Sequence, residues 1–498
     1  MATSTTAPTA TARPGSPWVS RATEVPDTDA YPGVDELLGA FRTLAATHPD
    51  LVAERRIGTS RLGEPLYCFS VGDPGAGGRG ERDGHGRNFV VVGGVHPNEP
   101  VGAVTALHLA TALCQDGALR ETFGAVWHIV PCIDPDGARL NEGWFATPFD
   151  KRAYGRHFYR PAFDQQVEWT FPFAYKDVWF DRVMPETLAL MRLLDDVRPQ
   201  FLTTLHNGEL GGVYYYLNRP MPELYGTLHA IPASLGIPLD TGEPEAPHIP
   251  RYAPAVYGCI DMADAYEYLD GLGVDPAAEI AGTSSAAYAE RHGTLYLVTE
   301  VPHWTHPDAD DEALTSETYA EVVRRRGHRL RETGDVLSRI LETAGPRLTI
   351  PSPFLRAARA FIPSLVNGAD AEEARAETLT DGRRATVAER YGCDASVDSF
   401  RIRFGGILLR ALEAEIGAGV AAPEVRRCHR ELLAVRERWE AQAEATAGRP
   451  IPISTLAGIQ YAAILATAAT TIESEGAPAA DRTSPAPAAD NAGGQEPQ

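Results

Sequence analysis

Up to about residue 345 the hydrophobic positions fall in short β-branched or aromatic runs, among them LYCFSVG, NFVVVGGV, VWHIVP, FLTTLH, VYYYL and TLYLVTEV. Stretches with helical period, such as VGAVTALHLATALC, stand between them. Short apolar runs that alternate with helices predict an α/β fold, with a mixed, largely parallel central sheet and helices on both faces. The texture changes at ETAGPRLTIPSP, where a Gly-Pro and two further prolines follow a long charged helix. Beyond it FGGILLRALEAEI, APEVRRCHRELLAVRERWEAQAEA and STLAGIQYAAILATAATTI are helical throughout. The expected organisation is a flexible tail over 1–30, an α/β domain over 31–345, an all-helical accessory domain over 350–472, either separate or an extension packed on the first, and a second flexible tail over 473–498. Both tails are rich in Ala and Pro. A Gly-rich, charged insert at 73–88 reads as a surface loop, and there is no internal repeat.

Charge and composition narrow the function classes. The chain has 498 residues with 45 Lys and Arg against 67 Asp and Glu, a formal charge of −22. That balance argues against nucleic acid as a partner. A hydrophobic fraction of 44% is that of a globular protein rather than a disordered one. The start, MATSTTAPTATARPGSPW, lacks the basic stretch and apolar core of a secretory signal. The longest nearly uncharged apolar run, Ile459 to Ile472, is Ala/Thr-rich and suits a buried helix better than a membrane span. The expectation is a cytoplasmic protein without a membrane partner. Six scattered cysteines with no CxxC pair suggest reduced thiols, neither a disulfide framework nor a thiolate zinc site.

Chemistry gathers where the predicted strands end. His96-Pro97-Asn98-Glu99 follows the run NFVVVGGV, at the edge of the sheet where ligand sites of open α/β folds collect. Its spacing lets one imidazole and one carboxylate reach a single ion. A second HxxE, His206 to Glu209, begins at the end of FLTTLH, and pattern alone does not separate the two. Context does: His206 is placed to be a third, distant ligand, giving the two-near-plus-one-distant set of a catalytic zinc site with a fourth position for water. Glu300 ends GTLYLVTEV on the same edge, where a carboxylate next to the water can serve as general base.

Taken in order, GGVHPNEP, Asp134-Pro135-Asp136-Gly137, the strand ending in His206 and GTLYLVTE ending in Glu300 resemble the zinc metallocarboxypeptidases related to carboxypeptidase A, with their aspartoacylase and succinylglutamate desuccinylase relatives. The resemblance covers about residues 35 to 340 and makes 31–345 a zinc carboxypeptidase-like catalytic domain. It implies one Zn2+ per chain on His96, Glu99 and His206, with Glu300 as general base and acid for water attack on an amide. Two departures bear on substrate. Asp134 stands in place of the usual Asn of an Asn-Pro-Asp-Gly turn, and the Asn-Arg pair that usually holds the substrate carboxylate is missing. Arg139, Arg152, Arg156 and Arg160 are available instead, and Arg139 and Arg160 are the expected substrate-binding arginines.

The reading is therefore a zinc-dependent hydrolase, a metallocarboxypeptidase that releases a C-terminal residue. A deacylase or amidase acting on an N-acyl amino acid keeps the chemistry and changes the substrate. An inactive peptidase-like binding protein is the alternative of another class. Glu209 is expected to be a loop carboxylate, His303 and His306 ordinary loop residues, and Asp134 and Asp136 turn formers. The Arg-rich stretches at 324–332 and 424–431 read as solvated helix faces. The apolar stripes of the C-terminal helices read as core or as the surface of a homo-oligomer.

Overall fold

A computed structural model describes residues 16–73, 86–445 and 448–476. Nine strands form its main sheet: β1 (Val52–Thr59), β2 (Pro65–Val71), β3 (Arg87–Val92), β4 (Ala125–Val130), β5 (Phe201–His206), β6 (Tyr214–Leu217), β7 (Arg251–Ala253), β8 (Val256–Gly258) and β9 (Leu295–Glu300). Their order across the sheet is β1-β2-β4-β3-β5-β9-β6-β8-β7. The four central strands β4, β3, β5 and β9 are parallel, and antiparallel pairs flank them on both sides. The mixed, largely parallel sheet expected from the sequence is present.

Parallel central strands are covered on both faces and read as continuous apolar runs, and every residue of β5 and of β9 is buried. On one face Phe89, Phe201, Leu205 and Leu297 meet α1 (Val34–Thr47), α2 (Val101–Gln115) and their neighbours. On the other, Val90, Leu202, Tyr296 and Val298 meet α3 (Pro185–Val197). The strand period of two fixes what else shares that second face. Leu202, Thr204 and His206 alternate along β5, and Tyr296, Val298 and Glu300 stand beside them in register on β9.

The helical part departs from the expected division. A second group of helices comprises α5 (Tyr319–Ala344), α6 (Pro353–Thr378), α7 (Val387–Gly417) and α8 (Pro423–Ala445), packed mainly on one another. It starts near 319, and the Gly-Pro at 345 is only the turn between two helices that lie against each other. The last helix, α9 (Ile453–Gly476), leaves this group and packs on α2, on α4 (Pro222–Ser234) and on β9. By length and composition α9 could cross a membrane, yet 78% of its most apolar stretch is buried inside the fold. Its apolar positions are core of the α/β layer, the packing of a helical extension on the first domain.

Residues 16–30, expected within a tail, pack on the protein. Trp18 stacks on Phe123 at 5.5 Å between ring centroids, and Ala22 and Val25 are buried. Residues 1–15, 477–498 and the middle of the insert, 74–85, lie outside the described residues. The arginines at 325, 326, 329 and 331 are not a solvated face: they pair across to Asp394, Glu372, Asp398, Asp370 and Glu373 on the neighbouring helices.

Candidate metal centre and its pocket

Three strand ends and one loop build the site. The chain leaves β3 through Gly93 and Gly94, and His96 and Glu99 follow before α2 begins. This loop is pinned from below by the Asp134–Gly137 turn, in which Asp134 Oδ1 accepts from the Gly137 amide at 2.9 Å. A Cβ on Gly137 would stand 2.6 Å from Pro97 Cγ, so only glycine allows the two loops this close. Asp134 is also paired with Arg61 at 3.1 Å, and Asp136 accepts from Ser60 Oγ at 2.9 Å. Both aspartates are structural, as expected of turn formers.

His96 Nδ1 lies 3.1 Å from Glu99 Oε1, and His206 Nδ1 lies 3.1 Å from Glu99 Oε2. The two imidazole rings meet edge to face at 4.8 Å between centroids. All three side chains are buried, and one donor atom from each lies within 4.8 Å of the other two; this is the one such group among the described residues. Two imidazole nitrogens and a carboxylate are a donor set suited to zinc. Each Nδ1 stands 3.1 Å from its own oxygen of Glu99, a separation that two ligands of one zinc at about 2.0–2.1 Å each can hold. The residues fit the ion.

Glu300 is the register partner of His206, and its Oε1 lies 3.7 Å from His206 Nδ1. It sits beside the cluster without joining it. Burial and the neighbouring charge of Glu99 raise the Glu300 carboxyl well above its ordinary range. For Glu99 burial pulls the same way, and the two imidazoles outweigh it, holding the carboxyl well below its ordinary range. Burial and the nearby Arg160 guanidinium push the His96 imidazole down to about 3.

Arg160 and Arg139 part company. Arg160 reaches into the site, donating to Glu99 Oε1 at 3.0 Å and to His96 Nε2 at 2.9 Å. Arg139 does not. It closes the short helix Pro135–Arg139 and turns outward to Asp35 (2.7 Å) and Glu64 (2.9 Å), so the substrate role expected for it must be withdrawn. Arg152 and Arg156 are likewise taken up at the surface, by Glu444 and Glu413.

A cavity of about 350 Å³ opens at the cluster, and His96, Glu99, His206, Glu300 and Arg160 all line it. Its far wall is α7, which contributes Arg403. Arg403 donates to Glu209 Oε1 at 2.8 Å, and the Tyr154 hydroxyl donates to the same oxygen. The second HxxE is thereby resolved: Glu209 turns to an arginine and away from the donor cluster. His303 is held by Asn207 (2.8 Å) and Tyr31 (3.2 Å), and His306 stacks on Tyr391.

Residues 38–231 match the sequence profile of the zinc carboxypeptidase family. That stretch is similar to a zinc carboxypeptidase domain. That stretch takes in His96, Glu99 and His206, while Glu300 and the α7 wall lie beyond it. Carboxypeptidase SOL1 of Arabidopsis thaliana is 27% identical over 190 residues, 37% of this chain, and the match spans about a third (34%) of that protein's length. Among solved structures, carboxypeptidase A of Helicoverpa armigera is 13% identical over 73% of this chain and 80% of its own, with a TM-score of 0.38. A metallo-carboxypeptidase of Burkholderia cenocepacia is 14% identical over 54% and 60%, with a TM-score of 0.33.

Two residues that shape the centre were invisible to motif reading. Arg403 sits in the helical segment, 194 residues beyond its partner Glu209. Gln460 on α9 donates to the backbone carbonyls of His206 (2.5 Å) and Thr299 (3.3 Å), tying the ends of β5 and β9 together. The one signal available was a lone Gln in the apolar run STLAGIQYAAILA, since a buried polar group needs partners.

Proposed function

We propose that the protein is a zinc-dependent metallocarboxypeptidase holding one zinc per chain on His96, Glu99 and His206. The observation that carries this reading is Glu300 in register with His206, a carboxylate beside the donor cluster and facing the same cavity. When bound, zinc supplies Lewis-acid polarisation of the scissile carbonyl and activation of water. Glu300 takes the proton of the attacking water and returns it to the departing nitrogen, a transfer worth roughly 10²–10⁴ in rate. Arg160, at the rim of the cluster, offers a planar pair of donors to the substrate carboxylate or to the developing oxyanion. Burial of Glu99 and the imidazoles keeps bulk water from competing for these contacts.

The small size of the cavity favours keeping a second reading. About 350 Å³ lies at the low end of small-molecule sites and admits one or two residues, so an N-acyl amino acid is as good a fit as a peptide end. Both carry a free carboxylate next to the scissile amide. The test is turnover by the zinc-loaded protein of peptides with free C-termini, of the same peptides amidated, and of N-acyl amino acids. Release of single C-terminal residues from free peptides supports the carboxypeptidase. Turnover of acyl amino acids alone would replace it with the deacylase, and cleavage of amidated peptides at equal rate would remove the need for a carboxylate clamp.

A further inference from the structure

A buried carboxylate that the reaction above does not use, Glu168, stands behind the site. It lies in the helical turn Val167–Trp169, with 2% of its surface exposed, and covers the face of the sheet that carries His206 and Glu300. Its Oε1 receives the Ser285 hydroxyl at 2.7 Å, the Ser285 amide at 3.2 Å and the Tyr296 hydroxyl at 3.3 Å. Tyr296 is also hydrogen-bonded to Thr204 Oγ1, and Thr204 Oγ1 lies 2.9 Å from His206 Nε2. All of these side chains are buried.

With Nδ1 of His206 given to zinc, the proton count along this line has one solution. His206 turns Nδ1 to the donor cluster, and an Nδ1 that holds the metal leaves the ring proton on Nε2. That N–H donates to Thr204 Oγ1. The Thr204 hydroxyl is then free to donate to Tyr296 Oη, and the Tyr296 hydroxyl to Glu168 Oε1. Each hydroxyl accepts once and donates once, and the line ends on a group that can only accept when ionised. The sheet makes the arrangement unavoidable once the residues are chosen, because Thr204 and His206 are two apart on β5 and Tyr296 sits on the same face of β9.

We infer that Glu168, Tyr296 and Thr204 form a hydrogen-bonded line that fixes the tautomer and orientation of His206, making them positioning residues for the metal centre. Ligand histidines commonly give their second N–H to a carboxylate or carbonyl, and loss of that partner costs about 10- to 100-fold in metal affinity. Here the carboxylate acts at a distance, through two hydroxyls. The inference rests on the metal reading of the site, since it gives the line a reason to exist.

The test is zinc affinity, measured by competition with a chromophoric chelator on the full-length protein. Thr204→Val keeps the shape of the side chain and cuts the line, and we expect about 10- to 100-fold weaker binding. Thr204→Ser keeps the hydroxyl and should bind within about threefold of wild type. Tyr296→Phe should match Thr204→Val, and the double variant should be no weaker than either single one, because a line cut once is cut. Wild-type affinity in Thr204→Val and Tyr296→Phe would overturn the inference, as would full additivity of the two, or an equal loss in Thr204→Ser. Absence of zinc binding by the wild type is a different result: it would remove the metal reading itself.

Discussion

Two half-polar places on the same sheet hold strand histidines, and they differ in what faces the ring. At the start of β3 and the middle of β4, His128 has Ser70 Oγ at 2.8 Å from Nδ1 and Asn88 Oδ1 at 3.1 Å from Nε2. Both partners are neutral, and each ring nitrogen has one. At the far ends of β3 and β5, His96 and His206 both turn Nδ1 to the one carboxylate of Glu99, with Glu300 beside them. His128 is half-buried and His96 and His206 fully so, a difference of degree that says little about function. Convergence of nitrogens on a shared anion says more. The nitrogens of His128 go to two separate neutral groups, whereas the second arrangement brings one nitrogen from each of two rings onto the two oxygens of a single carboxylate.

The widest gap between the two places should open on removing the proton carrier. Glu300→Gln is expected to lower kcat by about 10²–10⁴-fold while zinc content, read by mass spectrometry, stays at the wild-type level. His206→Ala should lose the zinc as well as the activity. Unimpaired turnover by Glu300→Gln would place the base elsewhere and erase the distinction drawn from the strand ends.

A smaller effect belongs to the α7 wall. Arg403→Ala leaves Glu209 with the Tyr154 hydroxyl and no cation, and a loss of about 1–3 kcal/mol in unfolding free energy is expected from urea titration. Adding Glu209→Gln should return part of it, because the stranded charge disappears. If the double variant is less stable than the single one, Arg403 acts through packing on Phe400 and Phe404 instead.

Much of this comparison was legible in the chain before any coordinates. Central strands such as NFVVVGGV and FLTTLH announce themselves because both faces are buried, and the residues at their ends inherit a position at the sheet edge. β1 did not announce itself. As an outer strand its middle, Ala53 to Arg56, is exposed and carries three charges, which erases the apolar signal. β7 and β8 are three residues each, too short for any period. Among the arginines the sequence offered no way to separate Arg139 from Arg160, since the choice depends on acids brought from Asp35 and Glu64 by the fold. The division at 345–352 is silent on α9 for a related reason: a Gly-Pro marks a break in a helix and says nothing about which layer the next helices join. α9 joins the sheet from the far end of the chain.

That return contact is open to test. Gln460→Leu should keep the packing volume of α9 and leave the carbonyls of His206 and Thr299, and the Thr105 hydroxyl, short of a partner. The expected cost is about 1–2 kcal/mol in stability with zinc still bound. A larger loss of zinc affinity than of stability would promote Gln460 from a tie between strands to a support of the metal centre.

The smallest effect tests the silent member of the pair. Desolvation, with the charge of Arg55 added, pushes the His128 imidazole down to about 4, against about 6.5 in an unfolded chain. A lowered folded value means that the native state binds fewer protons than the unfolded one. The contribution of His128 is therefore complete above about pH 6.5 and is lost as the pH falls toward 4. At pH 5.5 the loss should be on the order of 1 kcal/mol. His128→Gln supplies an acceptor for Ser70 and a donor for Asn88 without a titrating ring, so its unfolding free energy should fall less than that of wild type between pH 7.0 and 5.5. Subtracting the two slopes removes the titration of every other histidine. Equal slopes would mean that His128 gains its proton freely in the folded protein, and that neutral partners do not hold a strand histidine neutral here.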